Sequence, residues 1–333
     1  MKYLMQLIYF SGVRRMIRII DNTLSCLDSY HASPHDLYQL LESLLKLPTT
    51  YIEMSASVYE KLISLKTLPP NRKYLLHVVS AMQADRHPGL AGYIMPAESF
   101  GKMGNAVYEI NFKNMDNFVF DEKCVQGLRI VGFAERMAKE IEQEIIDILA
   151  SKEKFEFCPK NDYFCATALA FEWCRLGGQK IVASFSGIGN QAGLEELLMA
   201  LHLENLYELK GDLSCCTEIK HCLERIVGQN IAPNKAVIGE AIFAVEAGIH
   251  VDGIVKNPSI YEPYPPEFVG NKRQIVMGQY SGRNAVLAKM KELQIPENGV
   301  DLIKLVELLQ HKSLVLQKNL TDAEFANLVR LVK

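Results

Sequence analysis

From Ile17 to Leu203 the chain alternates short, continuous apolar runs with longer amphipathic stretches, and few folds accommodate that rhythm. The apolar runs read as strands at Ile17–Asp21, Tyr51–Met54, Tyr74–Val79, Tyr93–Met95, Val107–Phe112, Leu128–Phe133, Phe155–Cys158 and Ile181–Phe185. A strand that is apolar on both faces belongs to a parallel sheet covered by helices. The stretches between them read as helices at Pro34–Leu47, Val58–Leu65, Glu135–Leu149, Phe164–Leu176 and Leu194–Leu203. The third carries Met137, Ile141, Ile145 and Ile148 at helical spacing. Eight strands joined by crossovers predict an α/β protein built as a closed (β/α)8 barrel. Between Lys66 and Gln126 there is room only for short or irregular helices.

The barrel is expected over residues 16–210, and a linker with a small C-terminal helical subdomain over 211–333. Cys215–Val227 has the apolar spacing of a helix. Asn234–Gly239 then leads into a helix-like run, Glu240–Glu246, which breaks at Gly248. Next come a lone histidine, His250, a proline-rich segment with Tyr261 and Tyr264, and a short β-like piece at Arg273–Met277. Proline and glycine at this density forbid one long element, so the segment is an ordered linker made of turns. Gly278–Gly282 opens another helix, and the tail carries helical patterns at Val300–Leu309 and Asp322–Val332, the last with Thr321 as N-cap.

A formal charge of -3 leaves no electrostatic footprint for nucleic acid or an anionic membrane. The first residues are apolar and then basic, the reverse of a secretory signal, and too short to cross a bilayer. Eight cysteines without metal-finger spacing predict reduced thiols in a cytoplasmic protein. Nucleotide-binding, hydride-transfer and zinc-protease motifs are not found, which removes support for those chemistries.

The string from Gly239 to Val286 closely resembles the post-barrel linker of homocitrate synthases and 2-isopropylmalate synthases, typified by HEAGIHVDGxxKxxxxYE followed by GxHSG. Residues 187–201, GIGNQAGLEELLMAL, are similar to the same family's GLGERAGNAALEEVVMAL. The resemblance runs over almost the whole chain from Met16, strongest from Ile181 to Val286, and leaves residues 1–15 as an extension or a misplaced start. It implies a TIM barrel whose linker crosses to a partner subunit and lends it a histidine and, eleven residues on, a tyrosine. His250 and Tyr261 keep that spacing and are the catalytic candidates. An ordinary loop histidine beside a packing tyrosine is the plainer alternative, and the length of the match favours the family reading.

Members of this family condense acetyl-CoA with a 2-oxo acid on a hard divalent ion, magnesium or manganese, which calls for oxygen and imidazole ligands. The resemblance places those ligands in DxTLRDGEQ on strand 1 and HxHND on strand 7. Here strand 1 continues as Asp21-Asn22-Thr23-Leu24-Ser25-Cys26, with Ser25 at the arginine and Cys26 at the metal aspartate. Strand 7 continues as Cys158-Pro159-Lys160-Asn161-Asp162, so both histidine positions are changed. The strand-6 threonine falls near Phe133, and the Glu-Arg pair of GERAGN becomes Asn190-Gln191. No metal cofactor is therefore expected. Three fates are open for the replacements: Lys160 supplying its ammonium in place of the ion, Cys26 and Cys158 binding a softer ion such as zinc, or the two cysteines packing as small apolar residues.

Lys160, Glu53, Asn161, Asp162 and Asn190 are the candidate pocket residues. Glu109 falls under the same argument as Glu53, His77 reads as a core residue, and His31, His35 and His87 read as loop residues. The resemblance thus implies a degenerate or accessory subunit of a condensing enzyme. An active acyltransferase with a remodelled site and a non-catalytic ligand-binding barrel are the alternatives. The expected partners are a second copy or an intact synthase homologue, with acetyl-CoA or a 2-oxo acid as small ligand.

Overall fold

A computed structural model describes residues 16–70, 73–99, 105–112, 127–132, 155–246 and 248–333. They gather into two compact units that divide between Ile231 and Ala232. No described helix is long and apolar enough to cross a membrane.

The first unit is a closed parallel barrel of eight strands in sequence order: β1 (Arg18–Asp21), β2 (Tyr51–Ser55), β3 (Lys73–His77), β4 (Gly92–Pro96), β5 (Ala106–Asn111), β6 (Leu128–Gly132), β7 (Phe155–Pro159) and β8 (Lys180–Ala183). Closure is made by four aligned pairs between β1 and β8, from Arg18 opposite Lys180 to Asp21 opposite Ala183. All eight strands fall where the sequence places them, within a few residues at either end. Because side chains alternate along a strand, every second residue points inward. One inward layer is Ile20, Leu75, Ile94, Val131, Cys158 and Val182. Two residues earlier on β6 and β7, the inward positions are Arg129 and Glu156, which lie opposite one another.

Helices α1 (Pro34–Leu44), α2 (Ala56–Leu65) and the short α3 (Ala81–Asp85) each begin at a serine whose hydroxyl accepts a backbone N–H of the first turn, from Ser33, Ser55 and Ser80. After β4 the described residues form a tight turn at Ala97–Ser99. His35 belongs to α1 rather than to a loop. Helices α4 (Ala166–Arg175) and α5 (Leu194–Leu203) close the barrel on the far side, and α6 (Cys216–Val227) ends at Gly228 in the left-handed conformation. The expected helix Glu135–Leu149 and the position of Phe133 lie outside the described residues.

The second unit corrects two readings of the linker. Glu240–Glu246 is not a helix: it turns and then forms β9 (Ala244–Val245), which pairs in parallel with β10 (Gln274–Ile275). Gly239 explains the turn, because a Cβ there would overlap the backbone of Pro233 and Lys235. Gly248 does not break a helix but begins one, α7 (Gly248–Lys256). Beyond it lie α8 (Arg283–Glu292), α9 (Leu302–Leu316) and α10 (Asp322–Leu331). α9 runs a further two turns past the predicted end, and Thr321 caps α10 in a full capping box with Glu324. Val251, Met277, Met290, Leu305, Leu309 and Phe325 lead the unit's own core.

Candidate functional site

The C-terminal end of the barrel strands surrounds a cavity of about 250 Å³. Asn22, Ser25 and Cys26 reach it from the turn after β1, Glu53 from β2, His77 from β3 and Glu109 from β5. Cys158 and Lys160 come from β7 and the residue just past it, and Gly189 and Gln191 from the loop after β8. Barrel enzymes carry their chemistry at this end of the strands.

An ion network lies in the barrel interior. Arg129 is 1% exposed. Its guanidinium meets Glu53 at 2.7 Å, Glu156 at 3.0 Å and Glu109 at 3.6 Å, and Lys180 meets the other oxygen of Glu156 at 3.3 Å. Burial works against the arginine's charge, but Glu53, Glu156 and Glu109 outweigh it and hold its pKa above the ordinary range. Ser25 donates to Glu53 at 3.2 Å, and His77 Nδ1 stands 3.7 Å from the same carboxylate oxygen. Beside the mouth, Asp21 accepts from the backbone and hydroxyl of Thr23, and its Oδ2 finds no partner among the described residues. Burial pushes the Asp21 carboxyl up to about 6 against those hydrogen bonds, and Glu53 adds to the rise.

At the positions where the family would hold its ion, one amide joins two thiols. The Cys158 thiol donates to Gln191 Oε1 at 3.3 Å, and Gln191 Nε2 donates to Cys26 Sγ at 3.5 Å. Burial raises both thiols to about 12, against the pull of Lys160 on Cys26 and of Arg129 and Lys160 on Cys158, so neither is a thiolate near neutral pH. Gly189 packs on Cys26 so closely that a Cβ would collide with its sulfur.

Of the sequence candidates, Lys160 and Glu53 face the cavity, together with Cys26 and Cys158. Asn161, Asp162 and Asn190 do not line it; they sew the loop after β7 to the loop after β8. The Asn161 N–H donates to Asn190 O at 2.9 Å, the Asn190 side chain donates to Asp162, and Asn161 Oδ1 accepts from Ala166 at the start of α4. Lys160 and Gln191 form an antiparallel bridge in the same seam. Glu109 and His77 reach the cavity as well, His77 from the end of β3 rather than from the core. His87 packs edge-on against Tyr59 and 3.3 Å from Glu60. Sequence reasoning missed Arg129 and the role of Gln191. An arginine inside the apolar run LRIVG was the available signal for the first.

In the second unit, His250 on α7 and Tyr261 beyond it stack edge to face, with ring centroids 5.6 Å apart. Gly253, one turn along α7, makes the room: a Cβ there would overlap the Tyr261 ring. Both rings border a cavity of about 390 Å³, walled by Val237, Phe243, Ile254 and Tyr264. Glu262, the next residue, is gripped by Arg273 through two hydrogen bonds of 2.7 Å, which fixes the segment.

Residues 237–317 match the family model described as "Homocitrate synthase post-HMGL domain-like". The chain is 30% identical over 237 residues to the "Homocitrate synthase, omega subunit" of Clostridium pasteurianum, an alignment covering 69% of this chain and 67% of that protein. The chain belongs to the homocitrate synthase and 2-isopropylmalate synthase family. Within that family it is also 37% identical over 175 residues to "(R)-citramalate synthase CimA" of Methanocaldococcus jannaschii, covering 52% of this chain and 35% of that one. The "2-isopropylmalate synthase 2" of Caldanaerobacter subterraneus subsp. tengcongensis is 39% identical over 142 residues, covering 42% and 37%. The chain thus spans about a third to two thirds of the curated relatives it matches. The hydroxymethylglutaryl-CoA lyase of Pseudomonas aeruginosa shares the barrel fold with a TM-score of 0.51 at 11% identity, over 65% of this chain and 93% of that one.

The family's divalent ion does not fit the donors present. A hard cation takes carboxylate, carbonyl or imidazole ligands. Here its place is taken by two protonated thiols, an ammonium and a carboxamide already committed to the thiols, and the cavity's two carboxylates, Glu53 and Glu109, are paired with Arg129. Among the described residues no group of three or more His, Cys, Asp or Glu side chains converges on a point where a metal would sit.

Proposed function

We propose that this chain is an accessory subunit of a homocitrate synthase-type enzyme that joins acetyl-CoA to a 2-oxo acid. In this reading it works in the cytoplasm as a dimer with itself or with an intact homologue. Its own barrel does not hold the ion, and its contribution is the His250–Tyr261 pair, presented to the barrel of a partner. The pair carries the reading. It remains assembled, ring against ring, in a chain whose barrel has lost the metal-binding donor set. Its surroundings suit burial against another protein: Ile249, Ile260 and Tyr280 are all more than two-thirds exposed, and Tyr261 is 42% exposed. The name of the Clostridium pasteurianum relative describes one subunit of a synthase, which supports the same reading.

His250 would act as general acid or base on acetyl-CoA or on the water that releases the product, with Tyr261 holding its ring. Groups of this kind contribute about 10²–10⁴-fold. The test mixes this chain with an intact synthase whose own linker histidine has been replaced. Restoration of condensation by the wild-type chain and not by His250→Ala is the expected result. A mixed dimer that forms without rescue refutes the donated pair. Condensation by this chain alone with added manganese would establish a working, remodelled active site in its place.

A further inference from the structure

Among the described residues, two bulky apolar side chains stand in the left-handed region of the backbone, where a side chain crowds its own chain and glycine is at ease. Phe164, in the loop after β7, has φ 57° and is 93% exposed. Its N–H donates to Asn161 O at 3.0 Å, and Asn161 is itself tied to Asn190 across the seam. Val237, in the second unit, has φ 66° and is buried. The Ile238 N–H donates to Ala236 O at 2.8 Å and closes a three-residue turn around Val237, a rare and strained form. A β-branched residue is a marked outlier there. Strain of this kind persists at positions that serve a site or a contact.

The two strained residues are complementary in shape. Val237 walls the cavity of about 390 Å³ that His250 and Tyr261 border, together with Phe243, Ile254 and Tyr264. A cavity of roughly 150 Å³ already admits a benzene ring, so this one takes a phenylalanine side chain. Ile249 and Ile260, next in the chain to His250 and Tyr261, add exposed apolar surface. Phe164 offers a ring almost fully open to solvent, with Tyr163 beside it at 57% exposure.

We infer that Phe164 of one copy of this chain docks in the His250–Tyr261 cavity of a second copy. A second copy is the occupant because ring and cavity belong to one sequence, and in a twofold pair each copy supplies both. The inference deepens the function proposed above and rests on its pairing of subunits. It adds the contact that seats the donated pair. Phe164 is four residues from Lys160, so docking brings His250 and Tyr261 to the loop that lines the second copy's barrel cavity, within about 14 Å along the chain at ~3.5 Å per residue.

Phe164→Gly tests this, because it removes the ring and relieves the strain together. Sedimentation of the full chain should show self-association weakened at least about tenfold, as for an aromatic anchor at an interface. Urea unfolding at concentrations below the dimer Kd should nevertheless show a higher midpoint than wild type, since glycine accepts the left-handed backbone. Phe164→Ala removes the ring and keeps the strain, so it should weaken association equally without that gain. A benzophenone-bearing phenylalanine at position 164, in a mixture of isotope-labelled and unlabelled chains, should cross-link to residues 236–264 of the other copy. A chain that is monomeric at about 100 µM, weaker than a specific dimer needs, would overturn the inference. So would a dimer that Phe164→Gly leaves intact, cross-links confined to one chain or falling outside 236–264, or a Phe164→Gly midpoint no higher than that of Phe164→Ala. Rescue of a synthase lacking its linker histidine is read separately: rescue without self-association through Phe164 removes this contact alone, and self-association through Phe164 without rescue removes the donated pair alone.

Discussion

Replacing Arg129 with methionine tests whether the barrel is held by its buried charges. The substitution keeps a side chain of similar length and removes the guanidinium from among three carboxylates. Their fates differ. Glu156 retains Lys180 at 3.3 Å, and Glu109 is open enough for water to reach it. Glu53 is 1% exposed and, among the described residues, keeps only Ser25 and the distant His77. One buried carboxylate is thus left without its counter-ion, and breaking such a pair costs about 3–5 kcal/mol. That is a large part of the roughly 5–15 kcal/mol that holds a domain folded. Adding Glu53→Gln should recover most of the loss at pH 8. Urea unfolding followed by tryptophan fluorescence reads the barrel alone, because the single tryptophan, Trp173, packs against Phe157 of β7 with ring centroids 5.0 Å apart. A variant within about 1 kcal/mol of wild type at pH 8, well below the range for a broken buried pair, would refute the reasoning. So would further destabilisation by Glu53→Gln.

Asp21 gives a prediction of opposite sign. Its folded pKa of about 6 lies above the ordinary 3.8, so the folded barrel favours the protonated form and bears a penalty above pH 6 that is relieved as pH falls toward 4. Asp21→Asn should therefore raise the unfolding free energy at pH 8 by at most about 3 kcal/mol, seen as a higher urea midpoint, with the advantage closing toward pH 4; a lower midpoint at pH 8 refutes it. Gly253→Ala should displace the Tyr261 ring from His250 while α7 itself gains up to about 1 kcal/mol of helix propensity. The change is read as a shift of the His250 ring protons in NMR spectra, and unchanged shifts would show that the ring does not rest on Gly253.

The barrel was legible because its strands are buried on both faces, and a continuous apolar run bounded by turns leaves little else to form. The interior network was not. Arg129 and Glu156 sit in runs, LRIVG and FEFCP, whose other residues satisfy the strand pattern. Sequence alone does not say that their charges meet across β6 and β7. The linker misled for a different reason. Glu240–Glu246 has helical composition, but it is pulled into β9 by a pairing partner some thirty residues away, and tertiary pairing overrides local propensity. Likewise the changes at Cys26 and Cys158 were visible, whereas Gln191 joining them was not, because a hydrogen bond between side chains 165 residues apart leaves no local trace.

The seam between the loops after β7 and β8 has a mechanical meaning. Lys160 and Gln191 look into the cavity, while their chain neighbours Asp162 and Asn190 stand on the outer surface, joined to each other. The Lys160–Gln191 bridge and the Asn190–Asp162 side-chain bond make one seam with an inner and an outer face, so a substitution that breaks the outer bond removes a tether from the loop that carries Gln191.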